Sequence, residues 1–135
     1  MKSFVCIFIV LVMSICIFTT AIKTEAAGSL EVTDAAICED VVDRAPVGAS
    51  TSFSATVGKL YCFTKIVGAQ TPTTVTHVWY FGETEKARIE LKVGAASWRT
   101  KSSKIIRVHE TGSWHVDVLD ADGNVLRTLQ FYVEQ

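Results

Sequence analysis

Strict alternation of apolar and polar side chains most limits what this chain can fold into. Residues 84–93 read TEKARIELKV, with apolar side chains at every second position and polar or charged ones between them. A β-strand places successive side chains on opposite faces of its sheet, so this period predicts a strand with one buried face. The same period recurs at residues 113–119 and 129–134. It indicates a fold built from half-buried strands.

Two further segments carry apolar residues at both odd and even positions, and so on both faces of the predicted strand. Residues 52–66 and 74–81 are rich in β-branched and aromatic side chains, which predicts central strands or curved strands, the first broken at Gly58. Shorter segments at 37–42 and 104–108 bring the expected number to about seven. Such a count in about 100 residues is typical of two packed sheets. We therefore expect an all-β fold, an antiparallel sandwich of about seven strands with immunoglobulin-like architecture.

Turn-forming residues separate the predicted strands. Residues 120–124 read DADGN, a composition that tolerates positive φ angles and favours a tight hairpin turn. The order Cys38, Cys62, Trp79 differs from that of true immunoglobulin domains, where a tryptophan lies between the two cysteines. The sequence therefore predicts the architecture without the immunoglobulin signature.

The first 26 residues form a separate element. Residues 3–22 include 16 apolar residues, carry no charge and follow a basic N-terminus, which is the order of a secretory signal. Thr24 and Ala26 supply the small residues that precede a cleavage site, so we expect a signal peptide over 1–26 and a mature chain from Ala27. The apolar run is also long enough to span a bilayer, which leaves an uncleaved signal anchor as the alternative.

Residues 27–135 are predicted to form a single β-sandwich domain outside the cytoplasm, periplasmic or secreted, or anchored to the membrane if the leader remains. The whole chain has a formal charge of −1, and removing the leader takes away two lysines and one glutamate, leaving −2. Nucleic-acid-binding proteins concentrate positive charge on one face, so we exclude nucleic acid as a partner. Membrane contact is expected only through an uncleaved leader.

Cys38 and Cys62 are the two cysteines of the predicted domain. An even pair in an exported domain favours a disulfide, which would close a loop of about 25 residues and contribute roughly 3 kcal/mol of stability. The missing Cys-x-x-Cys spacing disfavours a redox centre. Two buried free thiols remain the alternative.

Histidines are the first candidates for catalysis or metal binding. His77, His109 and His115 lack the close spacing typical of zinc ligands. His77 shares strand parity with Trp79, so we expect its ring to be hydrogen-bonded toward the core. The sequence has neither a Gly-x-Ser-x-Gly elbow nor a glycine-rich phosphate loop. We therefore predict no catalytic residue, no metal site and no cofactor.

Residues 98–104, WRTKSSK, are the densest basic cluster of the predicted domain. Cationic donors beside an aromatic face suit an anionic or sugar-like ligand. Arg99 is the favoured specific contact, because its planar guanidinium can hold a carboxylate or phosphate with two hydrogen bonds. The alternative is a solvated strand with its tryptophan turned inward. The candidate ligand-binding residues are Trp98, Arg99, Lys101, Ser102, Ser103, Lys104 and His77.

Several segments, in their order and spacing, resemble a bacterial family of domains of unknown function, DUF2914. The resemblance covers nearly all of the predicted domain and implies an extracytoplasmic or membrane-tethered β module with no established activity. The matching segments are Cys38 with 44–46 (RAP), 58–64 (GKLYCFT), 77–80 (HVWY), 98–100 (WRT), 102–104 (SSK) and 112–114 (GSW) with Val116.

Two functions from different classes follow. The first is a non-catalytic binding or structural module of the bacterial cell envelope, whose partner is an envelope protein or a glycan. The second is a small metal-dependent or hydrolytic enzyme that uses His77, His115 and nearby carboxylates. The second requires those side chains to converge in one cleft.

Overall fold

Ten strands and no helix make up residues 29–135, the part of the chain that the computed structural model describes. The strands are β1 (Glu31–Cys38), β2 (Asp40–Val42), β3 (Ala45–Val47), β4 (Ser52–Ser54), β5 (Lys59–Val67), β6 (Thr73–Phe81), β7 (Thr84–Val93), β8 (Ser97–Ile105), β9 (Gly112–Leu119) and β10 (Val125–Glu134). The predicted leader and its cleavage site lie outside the described residues. Within them, no helix has the length and hydropathy needed to cross a membrane.

Two sheets pack face to face and a hairpin lies outside them. The smaller sheet has the order β1-β5-β8 and the larger has the order β4-β10-β9-β6-β7. Strands β2 and β3 form a separate two-stranded hairpin. Every strand pair is antiparallel except β4 with β10, which is parallel. The predicted all-β sandwich is therefore the observed fold class.

Aromatic side chains fill the space between the sheets. Trp79 and Trp114 from the larger sheet are fully buried, and both contact Phe131, edge-on at 6.1 Å and stacked at 5.9 Å between ring centroids. Leu60 covers them from the smaller sheet, while Ile66 of the same sheet packs into a second cluster with Val75 and Val118. Burial of large apolar side chains from both inner faces is the main stabilising contribution in such a sandwich.

The strands with clear alternation match their predictions closely. Strand β7 has the predicted bounds, and β9 and β10 begin only one and four residues before their predicted starts. The chain between β4 and β5 breaks at Gly58, whose φ is +79°. The turn of the β9–β10 hairpin is also confirmed: the Asp120 carboxylate accepts hydrogen bonds from the backbone amides of Asp122 and Asn124, both at 2.9 Å.

Strand β8 differs most from its prediction. We expected a strand at 104–108, but β8 spans Ser97–Ile105. Its inward positions include the polar residues Thr100 and Ser102, so the apolar period that marks the other strands is missing. The count rises from about seven to ten because the segment at 37–42 divides between β1 and β2, the segment at 52–66 divides into β4 and β5, and β3 is a short additional strand.

The alternation predicted for residues 113–119 places Trp114 inward and His115 outward, and the faces of β9 agree with it. Trp114 is 1% exposed and donates a hydrogen bond from its indole nitrogen to the Glu110 carbonyl at 2.9 Å. His115 faces outward, but it is half-buried rather than exposed, because it stacks on Tyr80 at 4.5 Å. Strand parity gives direction, whereas cross-strand neighbours decide how much of the side chain remains exposed.

The two cysteines form no bridge in this structure: both are free and buried. The register of β1 on β5 pairs Ile37 with Cys62 and Cys38 with Tyr61. Directly opposed residues share a face, so Cys62 points into the core while Cys38 points to the outer face of the smaller sheet. Thiols on opposite faces cannot be joined without moving the backbone. The predicted disulfide is thus replaced by its alternative, two buried thiols.

Candidate functional site

Strand β8 divides the predicted basic cluster between two faces. Arg99, Lys101 and Ser103 share the outer face, and all three are exposed. Trp98, Ser102 and Lys104 have the opposite parity and lie toward the larger sheet. Trp98 packs beside the core residues of β6 and β7, as the alternative interpretation of this strand expected. The sequence cluster is therefore not one surface: Arg99 and Lys101 face a depression on the outer side, and Trp98 contributes to its lining at one end.

Two cations from other elements join that outer half. Lys65 on β5 lies directly opposite Arg99 in the β5–β8 register. Arg44 comes from the turn between β2 and β3, which lies over the outer face of the smaller sheet. We call the surface depression lined by Arg44, Lys65, Arg99 and Lys101 the cationic groove.

The cationic groove consists of two adjoining depressions that share Arg44 and Arg99. The first has a volume of about 240 Å³ and extends to Lys101. The second has a volume of about 390 Å³ and extends to Lys65. The remaining lining of the first is Val41, Asp43, Phe63 and Thr100, and that of the second is Ala95, Ser97 and Trp98. Hydroxyl and aromatic side chains thus accompany the cations in an open, ligand-sized channel.

None of the four cations forms a salt bridge with another part of residues 29–135. The ion pairs in this region are Lys86 with Glu110, at 3.2 Å, and Arg88 with Glu85, at 2.8 Å. Two carboxylates lie near the groove: Asp34 on β1 is directly opposite Lys65, and Asp43 lines one depression. Neither carboxylate comes within 4.0 Å of a groove cation. The groove therefore keeps a surplus of positive charge.

Like charges lie side by side in this groove. Arg99 and Lys65 are directly opposed, an arrangement that destabilises an antiparallel pair. The ammonium groups of Lys101 and Lys59 both lie over the Tyr61 ring, at 5.4 and 5.8 Å from its centroid. Aromatic contact offsets part of the repulsion at this end. A bound anion would relieve the rest.

Arg44 occupies a strained backbone position. The β2–β3 turn has two central residues, Asp43 with φ +51° and Arg44 with φ +62°. Two-residue hairpins with both φ angles positive favour Asn-Gly or Asp-Gly, and a long side chain there costs about 1–2 kcal/mol. A glycine would fit this turn better than Arg44. The chain nevertheless has an arginine there, and its guanidinium lies at the edge of the groove.

His77 lies in a buried polar network, as its parity with Trp79 predicted. The ring is 0% exposed; Nε2 lies 3.1 Å from the Thr64 hydroxyl and Nδ1 lies 2.6 Å from the Ser102 hydroxyl. The Trp79 indole donates to the same Ser102 oxygen at 3.1 Å. Every partner is satisfied if Ser102 donates to Nδ1 and Nε2–H donates to Thr64. Burial lowers the pKa of His77 to about 4, so the ring is neutral.

The histidines required by the enzymatic alternative do not converge. His77 faces the interior of the larger sheet, whereas His115 is on its outer face beside Tyr80. Residues 29–135 contain no cluster of three His, Cys, Asp or Glu side chains that would hold a metal ion. Ser102 is next to His77, but the pair is enclosed in the core. The arrangement fits a structural network and disagrees with the proposed His77–His115 cleft.

Lys104 belongs to a different environment from the rest of its cluster. Its ammonium donates to the Ile105 carbonyl at 2.8 Å, and its charge acts on Glu110. Burial of Glu110 would raise its pKa, but the Arg107 amide and the Lys86 ammonium outweigh that effect, so its pKa is lowered. Lys104 therefore supports a buried carboxylate.

Sequence reasoning missed Arg44 and Lys65 as groove residues. Lys65 is found by parity: it alternates with the buried residues Thr64 and Ile66 of β5, which places it outward. Arg44 has no such signal, because its position depends on how the β2–β3 hairpin folds over the smaller sheet. Ser102 and His77 were predicted as ligand-binding residues and instead contact one another in the core.

Comparison with solved structures identifies a similar fold. The crystal structure of an immunoglobulin-like protein from Pseudomonas aeruginosa matches with a TM-score of 0.55 and 15% sequence identity, covering 81% of this chain and 99% of that one. At this identity the likeness establishes the fold alone, and it confirms the immunoglobulin-like architecture. The sequence matches none of the curated proteins. Residues 72–133, which include Arg99 and Lys101, match the family described as a protein of unknown function, DUF2914, and so confirm the family that the sequence resembles.

Proposed function

We propose that this chain is an exported, non-catalytic β-sandwich module of the bacterial cell envelope that binds an anionic partner in the cationic groove. The observation that carries the proposal is the convergence of Arg44, Lys65, Arg99 and Lys101 from three elements without a salt bridge to any carboxylate of residues 29–135. Cations that remain in excess around a depression suit a ligand.

Two energetic costs support the same conclusion. The direct opposition of Arg99 and Lys65 and the left-handed backbone of Arg44 both destabilise the folded chain. Both also contribute a cation to the groove. Unfavourable local features at one surface are typical of binding sites, where a partner offsets them.

Export rests on the leader, and the expected location is extracytoplasmic. A charged groove on an envelope module fits an acidic envelope protein or an anionic glycan as the partner. An enzymatic function has less support, because His77 is hydrogen-bonded inside the core and His115 faces away from it.

Titration of the exported protein with pyrophosphate tests the proposal, since this probe carries two adjacent anionic groups. We expect backbone amide NMR shifts at β8 and the β2–β3 turn, and about tenfold weaker binding by Arg99→Ala. Arg127→Ala removes an equal charge from an exposed site on β10 and should bind like the original protein. Equal weakening by both variants, or no shift at millimolar pyrophosphate, would overturn the proposal.

A further inference from the structure

Strand β8 is an edge of the smaller sheet. Its hydrogen-bonded neighbour is β5, and in residues 29–135 no strand pairs with its other side. The backbone hydrogen bonds made just outside the strand, by Ile106 to Gly58 and by Gly68 to Ala96, also lie on the β5 side. A row of backbone N–H and C=O groups along nine residues is therefore available to a further strand.

The charges on this edge select among possible strands. Basic side chains on an edge discourage pairing with neutral or basic strands, which is a common protection against aggregation. The same charges attract a strand that carries carboxylates on the matching face. Because the charged side chains on this edge are all cations, it disfavours pairing with most extended segments and favours pairing with acidic ones.

Spacing on β8 matches that of an extended peptide. Arg99 and Lys101 are two residues apart on one face, which separates them by about 7 Å along the strand. Alternate residues of an added strand have the same separation and lie directly opposite them. Carboxylates at alternate positions would then face Arg99 and Lys101, with Arg44 and Lys65 behind them in the groove.

Residues between those carboxylates would face the other side of β8. That side presents Trp98 and Thr100, both half-buried next to the core. Apolar or hydroxyl side chains suit this environment. The complementary sequence is thus acidic at every second position, with threonine or a small apolar residue between.

We propose that the partner is an extended acidic protein segment that adds as a strand to the free edge of β8 and places alternate carboxylates against Arg99 and Lys101. This inference rests on the proposed function, because it names the partner class of the cationic groove. Backbone pairing supplies affinity and the cations supply selectivity, as in other cases of strand addition.

The test uses a labelled seven-residue peptide that alternates threonine and glutamate. Two versions carry N-methyl groups on one or the other set of alternate backbone amides. In a strand these sets point to opposite sides, so only one set faces β8. We expect one methylated peptide to bind about tenfold more weakly and the other to bind like the parent. A peptide of the same composition with its glutamates in one block should also bind more weakly.

Matched variants locate the site. Arg99→Ala with Lys101→Ala should weaken the parent peptide by at least about tenfold. Arg127→Ala with Lys92→Ala removes two exposed cations from the larger sheet and should leave binding unchanged. Thermal melts of both double variants show whether they remain folded. If the Arg99→Ala/Lys101→Ala variant does not fold, the single variants Arg99→Lys and Lys101→Gln take its place.

The outcomes separate this inference from the proposed function. Equal binding of both methylated peptides and the block isomer would overturn strand addition, while pyrophosphate binding would keep the groove as an anion site. Failure of the peptides and of pyrophosphate together would overturn both. Tighter binding of polygalacturonate than of the alternating peptide would assign the groove to a glycan instead. Self-association that is lost in the Arg99/Lys101 variant would assign the edge to a second copy of the chain.

Discussion

His77 shows how one buried residue organises the polar part of this core. Its two ring nitrogens contact Thr64 on β5 and Ser102 on β8, so one side chain of the larger sheet joins two strands of the smaller one. Buried polar groups cost free energy unless each finds a partner, and here each does. The network fixes the alignment of the two sheets at this point.

Ser102 and Ser103 provide a matched pair for testing that network. Ser102→Ala leaves the His77 Nδ1 and the Trp79 indole N–H without their partner in the core, so we expect a loss of about 2 kcal/mol in the free energy of unfolding. Ser103→Ala removes the same hydroxyl from an exposed position and should change stability by less than about 0.5 kcal/mol. Urea denaturation of both variants measures the difference, and equal effects would contradict the network's role.

Acid should destabilise the fold through His77. Its pKa is about 4 when folded, against an ordinary value of 6.5, so stability is complete above pH 6.5 and decreases as the unfolded chain alone takes up a proton. Between pH 6.5 and 4 the free energy of unfolding should fall by about 3 kcal/mol. Glu110 and Asp120, whose pKa values are lowered, add to the loss only as the pH falls through their ordinary values of 4.5 and 3.8. Denaturation curves at pH 7 and pH 4.5 measure the loss, which His77→Gln should remove.

Strands β8 and β7 show which elements can be predicted from sequence. In β7 one face is apolar and the other charged, so the period is visible and the bounds agree. In β8 the inward face carries the hydroxyl residues Thr100 and Ser102, of which Ser102 bonds to His77, so a well-paired strand shows no apolar period. The β2–β3 hairpin has three residues per strand, too few for any period. The cationic groove joins β8 to β5 and to this hairpin, so only Arg99 and Lys101, which are close together in the sequence, were predicted among its four cations.

At the β2–β3 turn, stability and binding should respond in opposite directions. Arg44→Gly creates the Asp-Gly pair that this turn favours and relieves the positive φ of Arg44, so we expect the free energy of unfolding to rise by up to about 1 kcal/mol. The same change removes a groove cation and should weaken pyrophosphate binding. Chemical denaturation and titration of one protein sample measure both effects. A destabilised Arg44→Gly that binds normally would show that Arg44 serves the fold instead.

The whole molecule combines a predictable frame with a surface that depends on tertiary structure. The all-β class, the immunoglobulin-like architecture and the position of the hairpin turn at 120–124 followed from local patterns. The faces of the two cysteines did not, because they depend on the register of β1 against β5. Register is decided by which residues of both strands become buried, and a single strand does not contain that information.

Processing of the leader is the prediction that belongs to the whole chain. We expect the exported protein to begin at Ala27, because Thr24 and Ala26 satisfy the small-residue rule before the cut. Intact-mass analysis of protein recovered from the envelope fraction measures this directly. Recovery of the full 135-residue chain in membranes would establish the anchor instead.

Because the β2–β3 hairpin covers Cys38, the alkylation rate of this thiol can report local opening of the hairpin. This thiol is fully buried between the outer face of β1 and the hairpin, and desolvation raises its pKa, despite opposing hydrogen bonds from the Val47 and Asp40 backbone. Alkylation therefore requires the hairpin to lift, and its rate reports the free energy of that motion. A ligand that contacts Arg44 only while the hairpin is closed stabilises the closed state. It should slow the alkylation of Cys38 by the factor with which it stabilises that state. Occupancy of the groove can thus be followed without labelling the ligand.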